Sequence, residues 1–215
     1  MKRLIFNVLL FVSLPIFADK LVKETFFSTA DNDISASRQF HYGKNGNLES
    51  IRQINDDSEI RINYIYQKKL LTKSEEYNDD IPVSRSIFLY HDKEKKPYRR
   101  ENYDSFNKLK SYSLFTFDAA GKNPVLIKTY NEKNELLEQT NFIYSDGNLL
   151  EIRICDETGK IIMRRKQIID ENKNEATEEV IFQNKIIRTI KRDFVSSRKK
   201  SDKIFSLPDN FFDFK

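Results

Sequence analysis

The sequence of 215 residues contains only one cysteine, five glycines, five prolines and no tryptophan. The single Cys155 cannot form an intramolecular disulfide, so the fold must depend on a hydrophobic core and on backbone hydrogen bonds. Few glycines and prolines, together with 17 phenylalanines and 10 tyrosines, exclude a disordered or low-complexity chain. The length suits one domain with a sizeable core.

Side chains that carry catalysis or bind metals are also scarce. The two histidines, His41 and His91, have no cysteine or carboxylate ligand set nearby, which favours surface histidines over a metal site. Cys155 precedes a predicted turn, at a position that Tyr, Phe or Ile occupies elsewhere in the chain. We therefore interpret it as a small buried hydrophobe rather than a nucleophile.

Adjacent acids occur at Asp56-Asp57 and Asp79-Asp80, where turns are predicted. Calcium could bind such carboxylates, but solvated turn acids are far commoner. No phosphate-binding glycine loop, nucleophile elbow or zinc motif is present. The sequence therefore predicts a protein that is not an enzyme, with no catalytic, metal or cofactor-binding residues and no cofactor. It leaves the residues that bind a partner unknown.

The N-terminal segment over residues 1–18 differs in composition from the rest of the chain. Lys2 and Arg3 precede an apolar run from Leu4 to Leu14, and Ala18 stands before Asp19. This layout is typical of a secretory signal peptide over residues 1–18, with a retained anchor as the alternative. The apolar run is too short to span a bilayer. No transmembrane helix is expected in residues 19–215.

Charge is nearly balanced once that leader is set aside. The whole chain has 37 Lys+Arg and 33 Asp+Glu, and residues 1–18 hold two of the basic residues, which leaves 35 against 33. Nucleic acid is therefore excluded as a partner, because counterion-driven binding needs a clustered basic surface. The basic run at 198–200 is interpreted as a solvated loop.

A repeated unit dominates the chain between about residues 38 and 194. An apolar or aromatic residue precedes a polar turn at nearly even intervals, and such even spacing indicates a repeat architecture. These residues are Tyr42, Ile54, Tyr66, Tyr77, Tyr90, Tyr103, Phe117, Tyr130, Tyr144, Cys155, Ile169 and Phe182. The interval leaves roughly seven to nine residues for each strand.

Several turns share one pattern, in which Asp or Asn opens the turn and Gly or Asn follows three residues later. Asp104 and Asn107, Asn131 and Asn134, and Asp156 and Gly159 are examples. The first residue can hydrogen-bond its own backbone, and the later one can adopt positive φ and close a β-hairpin. Gly147 and Gly159 are both predicted to have φ above zero.

Between the turns, apolar and polar residues alternate. Phe142, Tyr144, Leu150, Ile152 and Ile154 are predicted to share one apolar face, with Glu151 and Arg153 on the opposite, charged face. Val180 and Phe182 are predicted to share a face with Glu178. The residues from Ser28 to Ser37 are polar and predict a loop after a first strand over 21–27.

These patterns predict an all-β fold, a long antiparallel meander of about 12 strands after the signal peptide. The sheet must hide its apolar face by curling into a half-barrel or barrel, or by folding into a sandwich. One domain is predicted over residues 19–215. Its regular repeat ends near 194, and an irregular aromatic segment follows over 195–215.

The units Tyr144-Ser-Asp-Gly-Asn-Leu149 and Tyr103-Asp-Ser-Phe-Asn-Lys-Leu109 resemble the tyrosine–aspartate (YD, Rhs-type) repeats of bacterial secreted and surface proteins. They also resemble the hairpin repeats of the MORN-variant group. The signal peptide, the meander and the segment over 204–211 are similar to periplasmic lipid or lipoprotein carriers. These resemblances imply a β architecture outside the cytoplasm and no catalytic residues.

The predicted function is therefore that of an exported, non-enzymatic β-repeat protein of the bacterial cell envelope, in the periplasm or secreted, that acts by binding. In its most specific form it is a periplasmic carrier of a hydrophobic ligand or lipoprotein. The predicted partners are a lipid, a lipoprotein or another envelope protein. The alternatives are an outer-membrane β-barrel and a surface-exposed interaction or structural repeat protein. Short strands with Lys or Arg in most of them argue against the membrane barrel.

Overall fold

The computed structural model of the chain describes residues 20–28, 34–55, 58–92, 94–145, 148–170 and 175–195. The predicted signal peptide over 1–18, the basic run at 198–200 and the aromatic segment from 196 onwards lie outside the described residues. Fourteen strands account for most of the described chain. They are β1 (Lys20–Ser28), β2 (Ile34–Tyr42), β3 (Leu48–Ile54), β4 (Glu59–Gln67), β5 (Leu70–Asn78), β6 (Ile81–Tyr90), β7 (Pro97–Asp104), β8 (Leu109–Phe117), β9 (Pro124–Asn131), β10 (Leu136–Ser145), β11 (Asn148–Asp156), β12 (Ile161–Asp170), β13 (Glu175–Phe182) and β14 (Lys185–Val195).

Every strand pairs antiparallel with its neighbours in sequence, and β1 also pairs with β14, so the sheet closes into a barrel. The predicted all-β antiparallel meander is confirmed. It has more strands than the dozen expected, and several of them are longer than expected. Of the three predicted shapes the structure is the barrel. The loop predicted from Ser28 to Ser37 is wrong in part, because β2 begins at Ile34 and pairs with β1.

The turn pattern predicted from sequence is confirmed in four hairpins. Asn107, Asn134, Gly121 and Gly159 all have positive φ. In each of these turns the opening Asp or Asn side chain accepts backbone N–H bonds; Asp156 Oδ1, for example, accepts them from Thr158 at 3.0 Å and from Lys160 at 2.9 Å. Gly147 lies outside the described residues. Hydrogen bonds from the backbone to a side chain within each turn thus determine where the strands end.

Three hairpins use a different turn that the sequence did not reveal. Two consecutive residues have positive φ in each of them, although none is glycine: Lys68-Lys69, Asp79-Asp80 and Gln183-Asn184. Such paired left-handed residues match the twist of the flanking strands, as in type I′ hairpins. The positions of these turns were predicted, because Tyr66, Tyr77 and Phe182 precede them, but their type was not, because the usual sequence signal for it, Asn-Gly or Asp-Gly, is absent.

The strand register defines two ends of the barrel. We call the end that carries the hairpins after β2, β4, β6, β8 and β10 the upper end, and the end that carries the hairpins after β3, β5, β7, β9 and β11 the lower end. The residues that precede upper turns pack on the inner core: Tyr42, Tyr66, Tyr90, Phe117 and Tyr144. Those that precede lower turns lie on the opposite, outer face by register: Ile54, Tyr77, Tyr103, Tyr130 and Cys155.

The inner face holds the hydrophobic core in two clusters. The larger one joins strands β2 to β6 with β8 to β11 and contains Phe40, Ile51, Tyr64, Leu71, Phe88, Phe115, Ile127, Phe142, Leu149 and Ile152. The smaller one, Phe26, Met163, Val180 and Ile190, lies where β1 and β14 close the barrel. Leu149 and Ile152 have no exposed surface. These apolar side chains therefore act as core.

The inner face is not uniformly apolar, which corrects the expectation of one apolar and one charged face. Ser86, Ser113, Arg165 and Glu178 are fully buried on the same face as the core. Arg165 Nε donates to Glu178 Oε1 at 2.5 Å, and the two side chains form a salt bridge. The prediction that Glu178 shares a face with Val180 is confirmed by the register.

Small polar side chains form a connected layer on the inner face of β6 to β9. Ser86 Oγ donates to Asn102 Oδ1 at 2.9 Å, and Asn102 Nδ2 donates to Ser111 Oγ at 2.9 Å. The hydroxyl groups of Ser113 and Thr129 form a hydrogen bond with each other at 3.1 Å. Because these groups find partners in one another, the polar layer avoids the desolvation cost of unpaired donors and acceptors.

A β-bulge explains one wrong assignment on β11. The register between β10 and β11 shifts between Ile143 and Tyr144, so that Leu149 faces Tyr144 on the inner side. Leu150 is therefore turned outward and is 44% exposed, instead of sharing the inner face with Ile152. A bulge adds one residue to one strand and reverses the direction of the side chains beyond it.

Three tyrosines at the upper end tie neighbouring strands together. Their hydroxyl groups donate to backbone carbonyls on the preceding strand: Tyr66 to Leu48 at 2.9 Å, Tyr90 to Leu71 at 2.7 Å and Tyr144 to Pro124 at 3.1 Å. The acceptors are at or near the first residues of their strands. Burial raises the pKa of Tyr90 to about 12.

Replacing Gly159 by Val should lower the free energy of unfolding by roughly 1–3 kcal/mol, because a β-branched residue is strained at the φ of +85° found there. No atom lies within 4 Å of an added Cβ, so the effect isolates backbone strain. Thr116→Val, at an exposed strand position, is the control. Urea unfolding that gives the two variants equal midpoints would contradict the turn assignment.

The neighbours Ile152 and Leu150 provide a matched test of the core. Ile152→Asp should abolish folding or destabilise by roughly 3–5 kcal/mol, since it buries an unpaired charge. Leu150→Asp should leave a folded barrel, because that side chain already faces solvent. Circular dichroism and thermal melting distinguish the variants. A folded Ile152→Asp protein would mean that the inner face is an open groove.

Stability should fall as pH rises from about 10 to about 12. Tyr90 ionises near pH 10 in the unfolded chain and near 12 in the folded one, so its contribution is complete below pH 10 and is lost as pH rises through 12. Tyr90→Phe should cost about 1–3 kcal/mol at neutral pH through loss of the bond to Leu71. It should also reduce the alkaline slope in urea titrations, and an unchanged slope would count against this assignment.

Candidate binding surface

Two strands carry the same charged and aromatic triplet on the outer wall. They are Lys73-x-Glu75-x-Tyr77 on β5 and Arg99-x-Glu101-x-Tyr103 on β7. Residues two apart in a strand share a face, and the register places these opposite the core-facing residues. We call these six residues, together with Arg61, Arg85, Tyr112 and Tyr130, the outer stripe. It crosses strands β4 to β9.

Within each triplet the glutamate is held by the residues on either side. Lys73 Nζ lies 2.5 Å from Glu75 Oε1, and Tyr77 donates to Glu75 Oε2 at 3.0 Å. The hydrogen bond from Lys73 holds the pKa of Glu75 below its usual range. The bond to the carboxylate raises the pKa of Tyr77, because it stabilises the protonated phenol.

The second triplet repeats these contacts. Arg99 Nη2 lies 2.9 Å from Glu101 Oε1, and Tyr103 donates to Glu101 Oε2 at 2.7 Å, which raises the pKa of Tyr103. Both glutamates are thus bonded on two sides. The exposed fractions of the Arg99 and Glu101 side chains, 29% and 20%, show that the triplet is ordered but still reachable from solvent.

An arginine on the preceding strand covers each triplet tyrosine. Arg61 on β4 lies opposite Tyr77 in register, with its guanidinium 5.1 Å from the ring centroid. Arg85 on β6 lies opposite Tyr103 at 5.0 Å. Each is a cation–π contact of the kind that stabilises by about 0.5–1 kcal/mol at partly exposed sites. The structure therefore repeats a four-residue unit every second strand.

The stripe continues onto β8 and β9 as stacked aromatics. The Arg99 guanidinium lies 4.1 Å from the Tyr112 ring centroid, and Tyr112 stacks on Tyr130 with centroids 5.2 Å apart and planes inclined at 15°. Tyr112 also donates to Asn134 Oδ1 at 2.9 Å. Stacked rings and a guanidinium group therefore extend the stripe from β7 to β9.

The stripe carries an excess of positive charge. Its cations are Arg61, Lys73, Arg85 and Arg99, and its anions are Glu75 and Glu101. Arg61 is also paired with Asp80 at 2.8 Å. Within the described ranges, Arg85 has no carboxylate at salt-bridge distance, although it lies opposite Glu75 in register. Arg85 is thus the stripe cation with most capacity for a further anion.

The residues weighed in the sequence as possible metal or nucleophile sites are dispersed. His41 is exposed on β2, whereas His91 stacks on Tyr98 with ring centroids 4.1 Å apart. Cys155 is buried and accepts a hydrogen bond from Asn141 at 3.7 Å, which confirms the interpretation as a small buried residue. Burial raises the pKa of its thiol, so the thiolate is disfavoured.

The turn acids are occupied by local contacts. Asp79 Oδ1 accepts the backbone N–H of Glu59 at 2.9 Å, and Asp80 pairs with Arg61. Asp56 and Asp57 lie outside the described residues. In the part of the chain that is described, no three His, Cys, Asp or Glu side chains form a group that could hold a metal ion.

The outer stripe was not predicted from the sequence. Its signal was present, since the two triplets repeat the order cation, glutamate, tyrosine at alternate positions. From the sequence, Tyr77 and Tyr103 were interpreted only as residues that precede turns. The cross-strand arginines could not be assigned without the register, because Arg61 and Arg85 each reach a tyrosine on the next strand of the sheet.

Known families and curated proteins provide no match to this chain. Among solved structures, a porin-like protein from Bacteroides uniformis is similar, with 10% identity, a TM-score of 0.48, and coverage of 85% of this chain and 99% of that one. The Tc holotoxin pore of Photorhabdus luminescens matches 73% of this chain and 12% of its own, with 9% identity and a TM-score of 0.20.

A third structure, TcdB2-TccC3 without its hypervariable C-terminal region, matches 86% of this chain and 12% of its own at 9% identity and a TM-score of 0.20. Similarities of this size carry no information on function, and the strand pairing of the chain itself defines the barrel. The resemblance to YD or MORN-variant repeats stays a prediction. Over the described ranges, no helix has the length and hydropathy to cross a membrane.

Proposed function

We propose that the protein is a non-enzymatic β-barrel of the bacterial cell envelope that binds another envelope macromolecule through its outer stripe. The observation that carries this proposal is the repeated unit of cation, glutamate, tyrosine and covering arginine on neighbouring strand pairs. Its side chains are ordered by mutual contacts and remain partly exposed. An ordered surface loses little conformational entropy when a partner binds.

The charge of the outer wall supports a barrel that faces water. Outward charges occur within strands all round it, including Arg61 on β4, Arg85 on β6, Lys128 on β9, Arg153 on β11 and Lys166 on β12. In a lipid-facing wall each Arg or Lys near the bilayer midplane would cost about 2–4 kcal/mol. In water, the same side chains keep the wall soluble.

Burial of the inner face favours the outer wall as the binding surface over an inner groove for a hydrophobic ligand. Phe142 and Ile152, which would line such a groove, are 6% and 0% exposed. Aromatic and branched side chains of this kind are already packed against one another. A carrier needs apolar surface that becomes accessible to its ligand.

An outer-membrane barrel is the second candidate, and two observations favour it. The sheet is closed with an even number of strands, as in bacterial membrane barrels, and several strands reach 10 or 11 residues. The length argument made from the sequence is therefore weaker than expected. The charged outer wall is what favours the water-facing protein.

The export part of the proposal is supported by the layout of residues 1–18, where basic residues precede an apolar run and Ala18. Cleavage would start the mature chain at Asp19. The non-enzymatic part rests on the sequence, which contains no phosphate-binding glycine loop, nucleophile elbow or zinc motif.

Cell fractionation of the full-length protein tests the proposal. We expect release by osmotic shock together with a periplasmic enzyme, and an N-terminus at Asp19 by mass spectrometry. Urea-unfolded protein should also refold in buffer without detergent, because its outer wall is polar. Extraction only by detergent, together with refolding only in detergent or lipid, would support the membrane barrel instead.

A further inference from the structure

We propose that the outer stripe recognises a linear anionic polysaccharide that runs across strands β4 to β9. This inference rests on the proposed function and names the partner of the same surface. Three features of the stripe lead to it: its direction and period, the closed edges of the barrel, and the chemistry of its side chains.

The stripe has the geometry of a site for a polymer. Its four-residue unit recurs every second strand, which corresponds to roughly 10 Å along the wall at the usual strand spacing. The unit on β4 and β5 and the unit on β6 and β7 are followed by the stacked pair Tyr112 and Tyr130. A linear glycan built from repeating disaccharides presents equivalent groups at a comparable interval, so successive units can meet successive disaccharides.

Closure of the barrel limits how a protein partner could bind. β1 and β14 pair with each other, so the sheet has no free edge to which a peptide strand could be added. Recognition on this wall must therefore use side chains alone. That requirement suits a polymer that lies flat on a row of side chains better than an extended peptide, whose backbone would find no hydrogen-bond partner.

The side-chain chemistry fits sugars that carry negative charge. Arg61 and Arg85 each cover one ring face of Tyr77 and Tyr103, and the opposite apolar face can pack against the C–H groups of a sugar ring. Arg85, which has no carboxylate at salt-bridge distance among the described residues, can bind a carboxylate or phosphate group with charge-assisted hydrogen bonds, and Arg99 adds positive charge beside it. Glu75 and Glu101 provide oxygens that accept bonds from sugar hydroxyl groups.

The same two glutamates argue against nucleic acid. They lie within the stripe, and each forms an ion pair with a neighbouring cation. A phosphate backbone offers only anionic groups to these two positions, whereas an anionic glycan also carries hydroxyl groups and can place one at each glutamate. Binding through clustered phosphates also needs a continuous basic surface, which the stripe does not form.

Binding to defined polymers tests the proposal with the full-length mature protein. Alginate serves as the linear anionic glycan, hydroxyethylcellulose as a neutral glycan, polyglutamate as an acidic polypeptide and a single-stranded oligonucleotide as nucleic acid. We expect alginate to bind by isothermal titration calorimetry and to bind more weakly as salt is raised. We expect weaker binding of the other three polymers.

Two double variants with the same change in net charge locate the site. Arg85→Gln with Arg99→Gln should weaken alginate binding by about tenfold or more, as expected for the loss of charge-assisted hydrogen bonds. Arg153→Gln with Lys166→Gln, on β11 and β12 away from the stripe, should leave binding unchanged. Tyr103→Leu, which removes the ring, should also bind less tightly. Circular dichroism confirms that each variant is folded.

Three results would overturn the glycan assignment. Equal loss in the two double variants would show non-specific attraction, and equal or tighter binding of polyglutamate would indicate an acidic protein as partner. A protein that is released by osmotic shock but binds no alginate would also reject the glycan, while leaving the water-facing barrel intact. Detergent-only extraction would instead reject the proposed function itself.

Discussion

Pairing of β1 with β14 is the constraint on which the rest of this structure depends. An open meander of the same strands would expose two rows of unpaired backbone groups and invite aggregation. The closing register brings Phe26 opposite Ile190, and both side chains are 1% exposed. Closure therefore both satisfies the backbone hydrogen bonds of the edge strands and buries the smaller core cluster. It also commits every strand to one inner and one outer face.

Because every strand has one inner and one outer face, the polar residues of the inner face must find their partners inside the barrel. Arg165 and Glu178 are both fully buried, and a buried ion pair stabilises a fold only when its geometry is good and its remaining polar groups are bonded. Removing one partner would leave an uncompensated charge in the barrel. A different strand register would separate Arg165 from Glu178 and break the hydrogen bonds of the polar layer that includes Ser86 and Thr129. Such a register is therefore less stable.

Much of the local structure could be predicted from particular residues. Asp156 and Gly159 predicted their turn because a carboxylate that accepts nearby N–H groups and a residue able to adopt positive φ are local requirements. Leu150 was assigned to the wrong face, since a bulge at the β10–β11 hairpin displaces the alternation by one residue. Lys68-Lys69 carried no usual turn signal at all. The stripe escaped prediction because Arg85 meets Tyr103 only after their strands are in register.

The antiparallel meander, most of its turns and the alternation of side chains could be predicted from the sequence, because these depend on residues within a few positions of each other. Only the tertiary contacts place the tyrosines before upper turns inside and those before lower turns outside, where arginines cover Tyr77 and Tyr103. They also determine that the sheet closes. Both outcomes depend on the register between strands and on contact between β1 and β14, the first and last strands of the described chain, which no local pattern specifies.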